Sequence, residues 1–440
     1  MIKKISNNLL TIISTIIIFI ISIYFINEFR TREIEGKIIG LNKETFTIIS
    51  NNNEIYTFNN TDNFNYDINE NIKIKYNKKL SYFNPIQNIN IKNIIIIHNF
   101  KITDDSMFNK YQTKAKEIVA NMTTEEKVGQ LLLARIPISN NLKIITDYHI
   151  GGYILFERDT KNKTKEDLIN KINEYQNTSS IPLLIAIDEE GGTVSRLNSN
   201  KDIIDTPFLS PQELYKNGGY KAIEKDTINK NGILEELGIN VNLAPIADTT
   251  TTTSSYMYNR SFGKDAKATS KYIETVIKNT NEKVSYVLKH FPGYGDNNDT
   301  HRTSTIDTRS YKTFKNNDFL PFKKGIENGV QAILVSHNYI QSIDYQNPAS
   351  LSPNIHNILK NELKFKGIIM TDDLNMKALN KVDNKYIKSL LAGNNIIIVS
   401  NYNEAFNEIY NGIINNEISE EYIEYLITKT ISWKYYKNLF

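Results

Sequence analysis

The 440-residue chain has no cysteine. Disulfide bonds, thiolate metal sites, a cysteine nucleophile and a lipid-modified N-terminal cysteine are therefore excluded. An excess of charge of one sign is also missing, because 52 Lys and Arg face 49 Asp and Glu. No long run of Lys or Arg offers a footprint for phosphates, so we expect no nucleic-acid partner. The six histidines show no HxH or HExxH spacing, so we expect no metal and no other cofactor.

One long apolar run lies near the N-terminus. Residues 9–26, LLTIISTIIIFIISIYFI, carry no charge and follow two lysines. About 18–20 apolar residues span the core of a bilayer as a helix. A cleaved signal peptide is the alternative, but its apolar part is usually shorter, and we find no small-residue cleavage site. We expect residues 1–29 to form a signal anchor in the cell membrane, with the rest of the chain outside the cytoplasm, or secreted if the segment is cleaved.

Residues 30–105 have a different pattern. Short segments such as 53–58 and 71–77 alternate apolar and polar side chains, and clusters of Asn and Asp separate them. This pattern is typical of strands joined by turns. We predict a small all-β module of about five strands, which acts as a spacer above the membrane or binds the cell wall.

The remaining residues, 106–440, alternate apolar runs rich in Val and Ile with helical stretches. There are eight such runs, at residues 128–136, 151–156, 182–188, 239–248, 284–290, 331–338, 367–373 and 395–400. Continuous apolar runs are typical of parallel strands that are buried on both faces. We therefore predict an α/β fold of the (β/α)₈ barrel type, with a doubly wound open sheet as the alternative.

Polar side chains gather at the C-terminal ends of these runs. They are Asp188, Asp248, Lys289, His290, His337, Asp372 and Asp373. Barrel enzymes place their active sites at that end of the strands. A cluster of titratable groups there predicts an active site, although any one of them alone could be structural.

Five motifs occur in this part of the chain. They are MTTEEKVGQ at 122–130, DEEGGTVSRL at 188–197, NRSFG at 259–263, KHFPGYGD with NNDTH at 289–301, and KGIIMTDDLNM at 366–376. Together and in this order they resemble the signature of family 3 glycoside hydrolases, in the bacterial β-N-acetylglucosaminidase branch. The resemblance covers roughly residues 107–400.

The resemblance implies a retaining glycosidase in which Asp372 is the nucleophile and forms a covalent glycosyl-enzyme. It also implies that His301, oriented by Asp299, is the acid/base, and a histidine can give and recover a proton near neutral pH. Asp373 is the alternative nucleophile, but alternation along the strand sends it to the side opposite Asp372. Because the loop also holds Gly293, we expect it to be able to move.

The resemblance further implies a set of sugar-binding residues. They are Asp188, Arg196, Arg260, Lys289 and His290. Both arginines could instead form internal ion pairs. Asp248 could contact sugar or be structural, and His337 is expected to lie behind the site.

The chain departs from the family signature at three places. Glu189 stands where the family has Gln, Tyr294 where it has His, and Asn394-Asn395 where it has Ala-Asp. The first two bear on sugar preference. We expect an exo-acting enzyme that releases terminal N-acetylglucosamine from peptidoglycan-derived or related glycans. The alternatives are a β-glucosidase, a glycoside phosphorylase, or an inactive carbohydrate-binding protein of the cell envelope.

Overall fold

The computed structural model describes residues 15–17, 32–60, 66–76, 91–98, 100–102 and 106–440. The expected anchor at 9–26 lies outside the described residues, apart from 15–17, which are helical. The anchor stays a prediction, and so does the domain boundary near residue 105, since residues 103–105 are not described. Across the described ranges, no helix combines the length and apolarity that a membrane crossing requires.

A five-stranded antiparallel sheet precedes the barrel, in the segments whose alternation predicted strands. Its strands are β1 (Arg32–Leu41), β2 (Thr45–Ser50), β3 (Ile55–Asn59), β4 (Asn71–Tyr76) and β5 (Ile91–Ile96). The strand order is β3-β2-β1-β4-β5. One face carries its own apolar cluster, which includes Ile38, Phe46, Ile48 and Ile74.

The other face of the sheet packs on the barrel. Ile39 and Ile49 belong to the large core cluster, whereas Ile38 belongs to the cluster on the opposite face. This division follows from the alternation of side chains along a strand. The side chain of Asn357 also accepts a hydrogen bond from the Ile55 N–H at 2.9 Å and donates one to the Ile55 carbonyl at 2.7 Å. The sheet therefore shares a core with the barrel, and the Asn357 side chain binds the backbone of its edge strand β3.

Eight parallel strands form a closed barrel, as the apolar runs predicted. They are β6 (Leu132–Arg135), β7 (Gly152–Leu155), β8 (Leu184–Ile187), β9 (Val241–Asn242), β10 (Ser285–Phe291), β12 (Ala332–Val335), β14 (Ile368–Asp373) and β15 (Ile396–Val399). Short strands β11 (Ile306–Asp307) and β13 (Tyr339–Ile340) pair outside it. The run 128–136 was predicted too long, because its first residues belong to a helix that a Thr123–Glu126 capping box begins.

Helices surround the barrel and connect its strands. They are α1 (Gln112–Ala120), α2 (Thr124–Gln130), α3 (Asn141–Tyr148), α4 (Glu157–Thr160), α5 (Lys165–Thr178), α6 (Pro211–Glu236), α7 (Ala266–Lys278), α8 (Tyr311–Thr313), α9 (Phe319–Glu327), α10 (Pro353–Asn357), α11 (Lys385–Ala392), α12 (Tyr402–Ile414) and α13 (Glu420–Tyr436). Trp433 of α13 packs with Phe108 into the cluster that fills the barrel interior.

The side chains that point into the barrel interior include those that reach its C-terminal end. Its filling is apolar and includes Leu133, Ile154, Ala186, Val287 and Met370. Residues two positions further along a strand point the same way. The residue two positions after each of these five therefore also points inward, just above the apolar filling. These residues are Arg135, Phe156, Asp188, Lys289 and Asp372. All five line one pocket.

Gly129 in α2 offers a test of this packing. A Cβ atom at Gly129 would lie 2.0 Å from the Tyr148 carbonyl oxygen, whereas one at Gly232 in α6 would meet nothing within 4 Å. We expect Gly129→Ala to lower the free energy of unfolding by about 2 kcal/mol or more. The control, Gly232→Ala, should raise it by about 0.5–1 kcal/mol, because alanine favours the helix. Urea unfolding followed by the fluorescence of Trp433, the one tryptophan, measures both. Equal stability of the two variants would contradict the close approach.

Candidate active site

A pocket of about 350 Å³ opens at the C-terminal end of the barrel strands. The residues that line it include seven of the eight expected site residues: Asp188, Arg196, Arg260, Lys289, His290, His301 and Asp372. The eighth, Asp299, contacts His301 from behind. The structure therefore brings together the whole set that the motifs predicted, although it comes from five separate segments of the chain.

Asp372 ends β14 and points into the pocket. Burial alone would raise the pKa of its carboxyl group. Nearby imidazoles and a backbone N–H more than offset burial, so the pKa is lowered; the imidazoles belong to His337, His290 and His301. The Asp373 N–H donates to Asp372 Oδ1 at 2.8 Å. Asp372 is therefore held as a carboxylate, which is the form that can attack an electrophilic carbon.

Asp373, the alternative nucleophile, has other partners. Its carboxylate accepts hydrogen bonds from the Asn375 N–H at 2.9 Å and the Ser400 N–H at 3.1 Å, and also from the Ser400 hydroxyl. Asp373 touches the pocket wall, but these bonds commit its carboxylate to joining the ends of β14 and β15. The geometry favours Asp372 as the group available for chemistry.

His337 lies behind the site, as expected. It is fully buried, its Nε2 donates to the Asp373 carbonyl oxygen at 3.0 Å, and its Nδ1 accepts from the Ser350 hydroxyl at 2.7 Å. Burial lowers the pKa of His337, and the neighbouring carboxylates of Asp372 and Asp373 oppose this shift. His337 supports the turn that carries Asp372.

The predicted dyad forms in the loop after β10. His301 Nδ1 lies 2.7 Å from Asp299 Oδ1, and the His301 N–H donates to the same oxygen at 2.9 Å. Burial would raise the pKa of Asp299, but the hydrogen bonds from His301 lower it, so this carboxylate is ionised. Because Asp299 engages Nδ1, the other ring nitrogen is left for proton transfer at the pocket, whose wall includes His301.

A chain of alternating charges forms one side of the pocket. Arg196 Nη2 lies 3.0 Å from Asp188, Lys289 Nζ lies 2.7 Å from both Asp188 and Glu190, and Arg260 makes two bonds to Glu190 at 2.7 and 3.0 Å. The ion pairs considered for both arginines are therefore present, and both arginines also reach the pocket. Such fixed donors and acceptors suit the recognition of sugar hydroxyls.

The pKa values within this chain follow from its pairing. Burial would raise the pKa of Glu190, but Arg260 and Lys289 lower it to about 2. Burial would also raise the pKa of Asp188, which Lys289 and Arg196 lower instead. All members of the chain are thus charged at neutral pH, and the arrangement exists before any ligand enters.

Asp248 is structural. It is buried, one of its oxygens accepts from His290 Nδ1 at 2.8 Å, and the other accepts from the Tyr294 N–H at 2.7 Å. Asp248 does not line the pocket, so it acts by orienting His290.

Sequence reasoning missed two groups and misjudged a third. Glu190 was overlooked inside its motif, although it joins Lys289 to Arg260. Arg135 was overlooked at the end of β6, where counting two residues past Leu133 would have found it. Glu189 was expected to bear on sugar preference, but it lies outside the pocket lining and accepts from the N–H groups of Arg196 and Leu197.

Arg135 lies at the pocket with its guanidinium 4.3 Å from the centre of the Phe156 ring, and the Arg196 guanidinium lies 5.2 Å from the same ring. The Nε atoms of both arginines are buried and have no hydrogen-bond partner within the described residues. Over the same residues, no group of three His, Asp or Glu side chains is arranged to hold a metal ion. The pocket thus combines the Asp372 carboxylate, a histidine held by a carboxylate, and cationic donors.

Comparison with known proteins points to one family. The model of the glycosyl hydrolase family 3 N-terminal domain matches residues 123–432. A β-hexosaminidase of Nitrosomonas eutropha is 31% identical over 271 residues, which are 57% of this chain and 74% of that protein.

Solved structures agree with this match. A family 3 β-N-acetylglucosaminidase from Paenibacillus sp. is 27% identical with a TM-score of 0.68, over 72% of this chain and 63% of that one. This chain therefore spans less than two thirds of that protein. The β-glucoside phosphorylase BglX shares the fold, with a TM-score of 0.68 at 19% identity over 76% of this chain and 62% of that one. Since the family match spans most of the chain and includes every barrel strand, this protein belongs to glycosyl hydrolase family 3 and is a glycoside hydrolase.

Proposed function

We propose that the protein is a retaining, exo-acting β-N-acetylglucosaminidase. The observation that carries this proposal is the placement of Asp372 and the Asp299–His301 dyad at one pocket. The packed barrel interior closes the pocket from below, so a glycan enters by its end. The relatives named β-hexosaminidase and β-N-acetylglucosaminidase support N-acetylglucosamine as the transferred sugar.

The reaction has two steps. First, the Asp372 carboxylate attacks the anomeric carbon while the bond from that carbon to the leaving oxygen breaks and protonated His301 gives its proton to that oxygen. Second, neutral His301 takes a proton from water as the water oxygen attacks the same carbon, and the Asp372 carboxylate is released. Asp299 holds the imidazole in one tautomer throughout, and Asp188, which Lys289 and Arg196 fix in place at the pocket wall, accepts hydrogen bonds from the sugar hydroxyls.

We propose peptidoglycan-derived fragments as the substrate. N-acetylglucosamine, as the transferred sugar, is neutral. The buried Arg135 Nε, which lacks a hydrogen-bond partner within the described residues, therefore suits a negative group elsewhere in the substrate. N-acetylmuramic acid, with its lactyl carboxylate, supplies one as the leaving sugar. We further propose that the apolar segment 9–26 anchors the enzyme in the cell membrane, with its active site outside the cytoplasm, where such fragments occur.

Exchange of the nucleophile is the direct test of the mechanism. We expect Asp372→Asn to lower kcat by about 10³-fold or more, because no covalent intermediate can form. The matched variant Asp373→Asn should retain far more activity, since that carboxylate serves the turn. A steady-state assay with nitrophenyl N-acetylglucosaminide measures both. The opposite ranking would make Asp373 the nucleophile, and unchanged turnover in both variants would refute the mechanism.

Trapping of the covalent intermediate tests whether the enzyme retains the anomeric configuration of the sugar. A slow fluorinated N-acetylglucosaminide should leave a sugar attached to the peptide 367–377, and fragmentation should place it on Asp372. Turnover of the natural sugar should first give the β-anomer by NMR. A label on another residue, or the α-anomer first, would contradict the proposal. Addition of inorganic phosphate is the control, because sugar 1-phosphate as the product would identify a phosphorylase.

A comparison of an acidic with a neutral disaccharide tests the role of Arg135. We expect Arg135→Met to lower kcat/KM about 10- to 100-fold for a disaccharide whose leaving sugar is N-acetylmuramic acid, because a charge-assisted hydrogen bond is lost. Cleavage of di-N-acetylchitobiose should hardly change. Arg158→Met is the matched control, since Arg158 lies beside the pocket and not in its wall. An equal loss with both disaccharides would remove the argument for an acidic leaving sugar.

A further inference from the structure

In the loop that carries the dyad, residues 296–301 are exposed or half-buried, apart from Thr300. The loop begins with Gly293 and Gly295, whose φ angles of 120° and 55° lie in the left-handed region. The His301 side chain is 58% exposed. The bond to Asp299 orients the ring within the loop, but it does not fix the loop over the pocket. Another contact has to hold the imidazole above the sugar site.

Thr300, between the two members of the dyad, is fully buried. Its hydroxyl lies 2.5 Å from the Tyr294 hydroxyl, and its N–H donates to the same Tyr294 oxygen at 3.0 Å. On the other side, the Thr300 carbonyl accepts from the Ala378 N–H at 3.3 Å. Contacts on both sides therefore fix Thr300 in the interior, and the exposed imidazole belongs to the next residue, His301.

Tyr294 is itself immobilised. Its N–H donates to Asp248, the same carboxylate that orients His290. Its ring packs with Ile246 and Met257 in a small buried cluster. Burial raises the pKa of the Tyr294 hydroxyl, so it keeps its proton and can donate to Thr300 Oγ while it accepts the Thr300 N–H. A rigid series of contacts thus runs from Asp248 at the barrel end to the dyad.

We propose that Tyr294 is a positioning residue whose hydroxyl holds the Asp299–His301 dyad over the pocket through Thr300. The proposal rests on the proposed function, which makes His301 the acid/base. Tyr294 does not line the pocket, so it acts through the loop and does not touch the sugar. Tyr294, which stands where the family has histidine, was expected to bear on sugar preference, whereas its hydroxyl makes two contacts with Thr300.

Without the hydroxyl, the loop keeps the dyad and its bonds through Asp296 and Ser304, but it loses the contact that holds Thr300 from the β10 side. The imidazole then spends less time over the sugar, and the rate of any step that needs proton transfer falls with that fraction. Steps that need no proton transfer keep their rate. This difference separates a positioning role from a general loss of folded enzyme.

The test compares leaving groups in wild type and Tyr294→Phe. Cleavage of di-N-acetylchitobiose, whose leaving sugar needs a proton, should fall at least about tenfold in kcat. With a dinitrophenyl N-acetylglucosaminide, whose leaving group needs none, formation of the glycosyl-enzyme should persist. Azide should then restore turnover of the variant, because azide attacks the anomeric carbon, frees Asp372 and gives glycosyl azide without losing a proton. Wild type should respond little to azide.

Variants of Thr300 complete the test. Thr300→Ala loses the contact between the two hydroxyls but keeps the N–H bond to Tyr294, so its activity should lie between wild type and Tyr294→Phe. Thr300→Ser, which keeps the hydroxyl, should retain activity. The double variant Tyr294→Phe/Thr300→Ala should be little worse than Tyr294→Phe, because the phenylalanine has already removed both contacts. The control is Tyr258→Phe, a tyrosine on the neighbouring loop, which should leave all rates unchanged.

Two kinetic outcomes would overturn the proposal. One is unchanged turnover of both substrates by Tyr294→Phe. The other is an equal loss for both leaving groups without rescue by azide, which would show a merely structural role. Hydrogen–deuterium exchange of residues 297–305 gives a readout that needs no substrate, and we expect faster exchange in Tyr294→Phe. If wild type does not cleave N-acetylglucosaminides, the proposed function fails, while equal exchange in the two proteins would refute the anchoring by itself.

Discussion

Alternation of side chains along eight strands that close into a ring is the constraint on which the active site depends. The ring leaves no free edge, and apolar residues fill its interior. The next inward position along a strand lies above this filling, where a polar side chain reaches the pocket without being buried in the core. Arg135, Asp188, Lys289 and Asp372 all occupy such positions. Alternation also explains why Asp372 and Asp373, although adjacent, have different partners.

The second constraint is electrostatic. Charged groups that leave water must find partners, since an unpaired buried charge is costly. In the chain from Arg196 to Arg260, each charge lies next to an opposite one, so the cost of burial is offset before substrate arrives. Asp372 differs, because imidazoles and a backbone N–H replace lysine or arginine around it. Among the described residues, no lysine or arginine forms a salt bridge with Asp372, which suits the nucleophile role that we propose for it. Donors fixed in advance need little reorganisation during a reaction.

The proposed proton donor is organised in a third way. Asp299 and His301 meet because residues two apart can bond within one turn of the chain, and that contact needs no barrel. Placement of the pair over the pocket does need one. Thr300 is held by Tyr294 from the end of β10 and by Ala378 from the segment after β14. The loop is therefore not held away from the barrel mouth, which is the arrangement that the mechanism requires.

Apolar periodicity and ordered motifs are local properties, so the sequence predicted the eight strands, the family and the residues of the pocket. It favoured a closed barrel over an open sheet, and the structure shows the closure. The sequence missed Glu190 and Arg135, and it misjudged Glu189 and Tyr294. Those four residues depend on which side chains meet across distant strands and loops, and no local pattern records such meetings. Three contacts are visible only in the folded protein, because they form once the barrel has closed. Glu190 completes the charge chain, Glu189 supports the loop before Arg196, and Tyr294 bonds Thr300.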